Sequence, residues 1–162
     1  MKSKIKYIML SLLATMMILS SCLTDNTESI EEFSNNDISD VVGVWYRYVG
    51  LENPTSTREV LKKAELDGIT KAVDKNTRTA TIKVKPSAGR VNSLPADAKS
   101  KLSINNIAVV VALPTAARIA PIGDAPKLGI NGDWSKPNKY LVTAANGDTA
   151  EWTITITEFT LP

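Results

Sequence analysis

Histidine is absent from all 162 residues, which removes His-based triads, the commonest general base near neutral pH and the usual zinc ligand. Cysteine occurs once, at Cys22, so no disulfide can form within the chain. There is no glycine-rich phosphate loop and no calcium loop of the EF-hand kind. Carboxylate pairs are the acid–base chemistry left open. Yet Asp67, Asp74, Asp97, Asp124, Asp133, Asp148, Glu151 and Glu158 fall mostly at turns, where such residues cap backbone donors. The expectation is a protein that is not an enzyme, with no cofactor and no bound metal.

What is present begins with a targeting segment. Lys2, Lys4 and Lys6 precede the uncharged apolar run from Tyr7 to Leu19, whose thirteen residues are too few to span a bilayer. The run ends in Leu19-Ser20-Ser21-Cys22, a lipobox in which small residues admit the chain to a peptidase and present the thiol for acylation. Residues 1–21 are thus expected to be a lipoprotein signal peptide. Cys22 becomes the lipidated N-terminus and the membrane becomes a partner through that anchor. Lipidation also explains a lone cysteine in a chain bound for an oxidising compartment.

Removing the signal takes three of the nineteen basic residues, leaving sixteen against seventeen acidic ones, so the overall positive charge is misleading. Asp25, Glu28, Glu31, Glu32, Asp37 and Asp40 follow the anchor with no basic residue before Arg47. Residues 22–40 read as an acidic flexible tether reaching about 25 Å from the bilayer. The domain after it is only mildly positive, and no nucleic-acid footprint follows.

From Val41 the chain alternates. Val42, Val44, Tyr46 and Tyr48 share one face of a first strand, and Trp45, Arg47 and Val49 share the other; alternation alone leaves open which is buried. Asn53-Pro54 marks a loop, and Glu59 to Leu66 reads better as strand than as helix. Ile69 to Val73 and Ala80 to Val84 form a hairpin about the turn Asp74-Lys75-Asn76-Thr77. A polar loop with Pro95 leads to the β-branched run Ile107 to Leu113. Lys139 to Ala144 and Glu151 to Thr157 close the chain as a hairpin around Asn146-Gly147-Asp148, with Trp152, Ile154 and Ile156 inward. About seven short strands in residues 41–162 predict an all-β sandwich.

The residues Trp134-Ser135-Lys136-Pro137, Tyr140-Leu141-Val142-Thr143-Ala144-Ala145-Asn146-Gly147-Asp148 and Glu151-Trp152-Thr153-Ile154-Thr155-Ile156 carry a resemblance. They look like the closing hairpin of immunoglobulin-like domains in outer-membrane lipoproteins of glycan-foraging Gram-negative anaerobes, whose usual form is F-S-x-P, Y-T-V-T-A-x-D-G and Y-T-V-T-V. Trp134 and Trp152 stand where Phe and Tyr are commoner, and Asn146 replaces the usual Asp. The resemblance implies an immunoglobulin-like β-sandwich on a cell-surface lipoprotein at the outer membrane, of a kind often associated with polysaccharide capture. The acidic stretch after Cys22 resembles the export tags of such proteins.

Flat rings stack on the apolar faces of sugars, so the aromatics are the candidate ligand-binding residues. Tyr140 and Trp152 fall in inward phase and read as core. Trp134, next to Asp133 in a turn, either packs the sandwich end or meets a ligand; Trp45 lies opposite Tyr46 and Tyr48, so one of these faces could be open. The expected function is a binding module with a polysaccharide as the favoured ligand. The alternative is an accessory domain that docks to another envelope protein by strand addition.

Overall fold

A computed structural model describes residues 34–162. The signal segment, Cys22 and the first part of the expected tether lie outside the described residues. Eight strands and two short helices follow in order: β1 Asp40–Leu51, β2 Glu59–Glu65, β3 Ile69–Asp74, β4 Thr79–Val84, α1 Ala88–Asn92, α2 Ala96–Lys101, β5 Ala108–Ala112, β6 Arg118–Pro121, β7 Asn138–Thr143 and β8 Thr149–Phe159. They form a three-stranded sheet, β2-β1-β5, and a five-stranded sheet, β3-β4-β8-β7-β6. The all-β sandwich expected from alternation is what the chain forms. Its strand order is its own: β1 lies between β2 and β5, whereas in immunoglobulin constant domains the second strand lies between the first and the fifth.

Pairing is antiparallel except where β4 runs parallel to β8, joining an early hairpin to the end of the chain. Ala80, Ile82 and Val84 of β4, Tyr140 and Val142 of β7, and Trp152, Ile154 and Ile156 of β8 are all buried, as their alternation requires. Gly147 takes φ +95° in the β7–β8 turn, where a Cβ would be strained.

Phase breaks in two places. The register shifts between Val41 and Gly43, so Val42 is the extra residue of a bulge and stands 51% exposed while Val41 and Val44 are buried. This corrects the reading that put Val42 on the face of Val44. A second shift at Ile82/Lys83 leaves Thr157 without a partner across the ladder, and its hydroxyl bonds Ile82 O.

The packed domain also starts earlier than the expected boundary at Val41. Ile38 is fully buried, Ser39 N donates to Ala112 O, and the Trp152 indole N–H donates to Asn36 O at 3.0 Å. These residues bond β5 and β8 and belong to the sandwich, not to a tether.

Two elements depart from expectation in the loops. The stretch around Pro95 carries α1, capped by Ser87 Oγ accepting from Arg90 N, and α2, which begins directly after Pro95. The eighth strand is β6, only four residues ending in Pro121, an edge position proline tolerates.

Candidate functional site

The expected aromatic residues separate once the sheets form. Trp134 is 0% exposed, its indole N–H donates to Ile107 O at 3.0 Å, and its ring stacks on Tyr140 at 6.2 Å between centroids. Tyr140 in turn donates its hydroxyl proton to Pro126 O. The candidate ligand-binding role for Trp134 is therefore corrected: every face of the ring is spent on the core. Asp133 is exposed, but its Oδ1 accepts from Ser135 N at 2.9 Å, which closes the turn that holds Trp134. That hydrogen-bonded turn holds its carboxyl below the ordinary range. Asp133 and Trp134 build a structural corner and do not form a site with the β1 aromatics.

On β1 the inward face is the one with Val44, Tyr46 and Tyr48. Tyr46 is buried, and its hydroxyl donates to Ala98 O in α2 at 2.9 Å. Burial first, then the Asp97 carboxylate, then Tyr48, push the phenol above its usual range. The Tyr46 ring is therefore core too, which corrects its place among the ligand-binding candidates.

Tyr48 is different. It is half-buried, stacked on Tyr46 at 5.7 Å with 19° between planes, and lies where the β1–β2 hairpin runs out past the sandwich end. Gly50 leaves room for its ring, since an added Cβ would come within 3.3 Å of Tyr48 Cε2 and 3.6 Å of Lys62 Cδ. A cleft of about 370 Å³ opens here, between the hairpin end and α2, lined among others by Leu51, Asn53, Pro54, Glu59, Lys62 and Asp97. A second hollow of about 250 Å³ shares Val49 and Asp97 with it and adds Tyr48, Lys101 and Asn106. Tyr46 forms the floor under Tyr48 and α2 forms one wall. The result is a stacked ring beside the Asp97 carboxylate, the Asn106 amide and the Lys101 ammonium, with Asn53, Glu59 and Lys62 in the adjoining cleft.

Trp45 faces the opposite side of the sheet. Lys63 Nζ sits 4.3 Å from its ring centroid, a cation–π contact that occupies the exposed face of the indole. Next along β1, Arg47 is held by its backbone: Asn131 Oδ1 accepts from Arg47 N and Asn131 Nδ2 donates to Arg47 O, at 3.0 and 2.8 Å. Because β5 stops at the level of Trp45, this side-chain amide replaces the missing strand neighbour. Nothing in the local pattern around Asn131 signals that role.

The cleft beside Tyr48 contains Asn53, Glu59, Lys62 and Asp97, none of which alternation singled out. A weak signal existed: Pro95 followed by Ala96-Asp97-Ala98-Lys99 has the composition of a helix start, and a helix there must cap an open sandwich end.

The sequence pattern of the DUF5018-related family matches residues 38–155. The chain belongs to the DUF5018-related family. Among solved structures, it is similar to a protein of Bacteroides fragilis NCTC 9343 described as a "putative secreted protein". The two are 29% identical with a TM-score of 0.66, over 80% of this chain and 99% of the other. No curated protein matches. The start of the family match at residue 38 coincides with Ile38, the first fully buried residue of the sandwich. Among the described residues, no helix is long and apolar enough to cross a membrane.

Proposed function

We propose that this DUF5018-related protein is a non-enzymatic binding module, lipid-anchored through Cys22 at the outer surface of its cell, that takes a glycan in the cleft beside Tyr48. The observation that carries the reading is a half-buried aromatic ring stacked on Tyr46, in a hollow that also offers Asp97, Lys101 and Asn106 and adjoins the cleft lined by Asn53 and Lys62. A sugar presents an apolar face for the ring and hydroxyls for amide and carboxylate, and a preformed site of this composition binds it with little ordering cost. The absence of histidine, the use of Asp74 and Asp133 as turn acceptors and the engagement of Asp67 by Ser87 support binding over turnover. The similar protein described as a "putative secreted protein", the lipobox and the acidic stretch support the placement.

Affinity electrophoresis of the full chain against plant, host and microbial polysaccharides tests the reading. Retardation by one glycan class is expected, weakened at least about tenfold in Tyr48→Ala with the fold intact, while Cys22→Ala moves the protein out of the membrane fraction. Unchanged retardation in Tyr48→Ala would move the site elsewhere, and release of free sugar would overturn the non-enzymatic part. A second reading, docking by strand addition, rests on the open edge of β2.

A further inference from the structure

We infer that β2 is a self-association edge, on which a second copy of this chain pairs antiparallel about a two-fold axis through Leu61. The inference does not rest on the glycan reading, although Glu59 and Leu61 also line the hollows at the hairpin end.

β2 ends the three-stranded sheet and has β1 as its one neighbour among the described strands. The bonds flanking the ladder, Leu66 N to Val44 O and Glu52 N to Arg58 O, both 2.9 Å, put the even-numbered residues of β2 in the hydrogen-bonded pairs with β1. Antiparallel alternation then points the N–H and C=O groups of Glu59, Leu61, Lys63 and Glu65 to the open side. The other edges are dealt with in ways this one is not. The outer side of β5 is covered by residues 129–132, where Gly129 N and Gly132 N donate to Val109 O and Ile107 O. On the other sheet, β6 is four residues long and ends in proline, and Lys71 ties β3 to Asp40 and to Val41 O of β1.

The side chains choose the partner and the register. Glu59, Leu61, Lys63 and Glu65 all face outward, and a second copy must meet them with its own outward residues. Centring the pair on Leu61 sets Glu59 opposite the other copy's Lys63, and Lys63 opposite its Glu59, with the two Leu61 side chains between. Centring on Lys62 or Lys63 sets lysine against lysine, and centring on Val60 sets Arg58 against Lys62. Of the two charge-complementary registers, the one centred on Ala64 pairs Lys63 with Glu65 but sets Leu61 opposite Asp67, past the end of β2, whereas the one centred on Leu61 uses Glu59 to Lys63 within the strand and pairs the two leucines. Leu61 is 61% exposed, more than any other large apolar side chain described, and its cross-strand neighbour Val49 is 54% exposed. Pairing covers Leu61 and joins two three-stranded sheets into one.

Sedimentation equilibrium of the full chain in mild detergent, up to about 300 µM because a single strand pair lies at the small end of specific interfaces, reads the association. A monomer–dimer equilibrium is expected. Glu59→Lys and Lys63→Glu each weaken it at least tenfold, and the double variant, which restores opposite charges, recovers it. Zero-length carbodiimide coupling of a mixture of isotope-labelled and unlabelled chains is expected to join Lys63 of one copy to Glu59 of the other; within one strand these residues are about 13 Å apart and cannot be joined. A monomer at all concentrations overturns the inference, even if a foreign protein occupies the edge. So does a dimer indifferent to both charge reversals.

Discussion

Trp134 illustrates how a residue with a functional profile becomes structural. In the sequence it stands before a strand, beside an aspartate and a proline, as an exposed sugar-stacking tryptophan would. In the fold its ring fills the space between β5 and β7, its N–H is satisfied by Ile107 O, and its backbone N bonds Ile104 O. Truncation leaves a large cavity and an unpaired carbonyl, so Trp134→Ala is expected to cost about 3–5 kcal/mol, seen in chemical denaturation as a lower midpoint with the same slope. Tyr48→Ala removes a half-exposed ring and is expected to cost clearly less. If the two variants were equally unstable, Tyr48 would be core and the cleft would lose its platform. The two tyrosines of β1 differ only in depth: α2 closes over Tyr46 through Ala98 O and stops short of Tyr48.

Each element shows where a local pattern suffices and where it fails. The β3–β4 and β7–β8 hairpins and the strand after Asn53-Pro54 are legible because side-chain alternation and turn residues are local properties. The β1 bulge is not, because Val41-Val42 offers apolar residues in both phases and only pairing with β5 decides which is extruded. β6 escapes notice because four residues carry too little pattern, and its status depends on β7 alongside. The crossover from β2 to β3 depends on Gly68, which sits at φ +63° with Lys85 N donating to its carbonyl. A Cβ there would stand 2.0 Å from Lys85 O, a backbone atom that cannot step aside. Gly68→Ala is therefore expected to destabilise by on the order of 3 kcal/mol or more, from both the clash and the strained φ. Gly147→Ala, equally left-handed but with open space around it, is expected to cost about 1 kcal/mol. Comparing the two midpoints separates steric from conformational cost.

Across the domain, the charged groups make acid stability predictable. A side-chain hydrogen bond is the largest influence lowering the carboxyls of Asp40, Asp67, Asp74, Asp124, Asp133 and Glu158, the donors being Lys71, Ser87, Thr77, Lys136, Ser135 and Lys85 in turn. A carboxyl lowered in the fold takes its proton at lower pH there than in the unfolded chain. Its stabilising share is complete above the unfolded value of about 4 and is lost as pH falls through the folded value. All six are exposed to solvent screening, so each share is small and the loss is gradual. With no histidine, the melting temperature is expected to be nearly flat from about pH 6 to 8 and to fall below about pH 4. A sharp step near pH 6 would mean a buried acid that these contacts do not account for.

The chain's composition and period were enough to establish an all-β sandwich, its closing hairpin with the inward residues of that hairpin, and the expectation of a lipobox, since each follows from neighbours a few positions apart. Which aromatic rings stay open was decided by the tertiary structure alone. Trp134, Tyr46 and Tyr48 differ in what comes to rest on them, and α2 and Ile107 arrive from distant parts of the sequence. The open edge of β2 has the same origin, because a strand's edge is defined by which strands the fold places beside it.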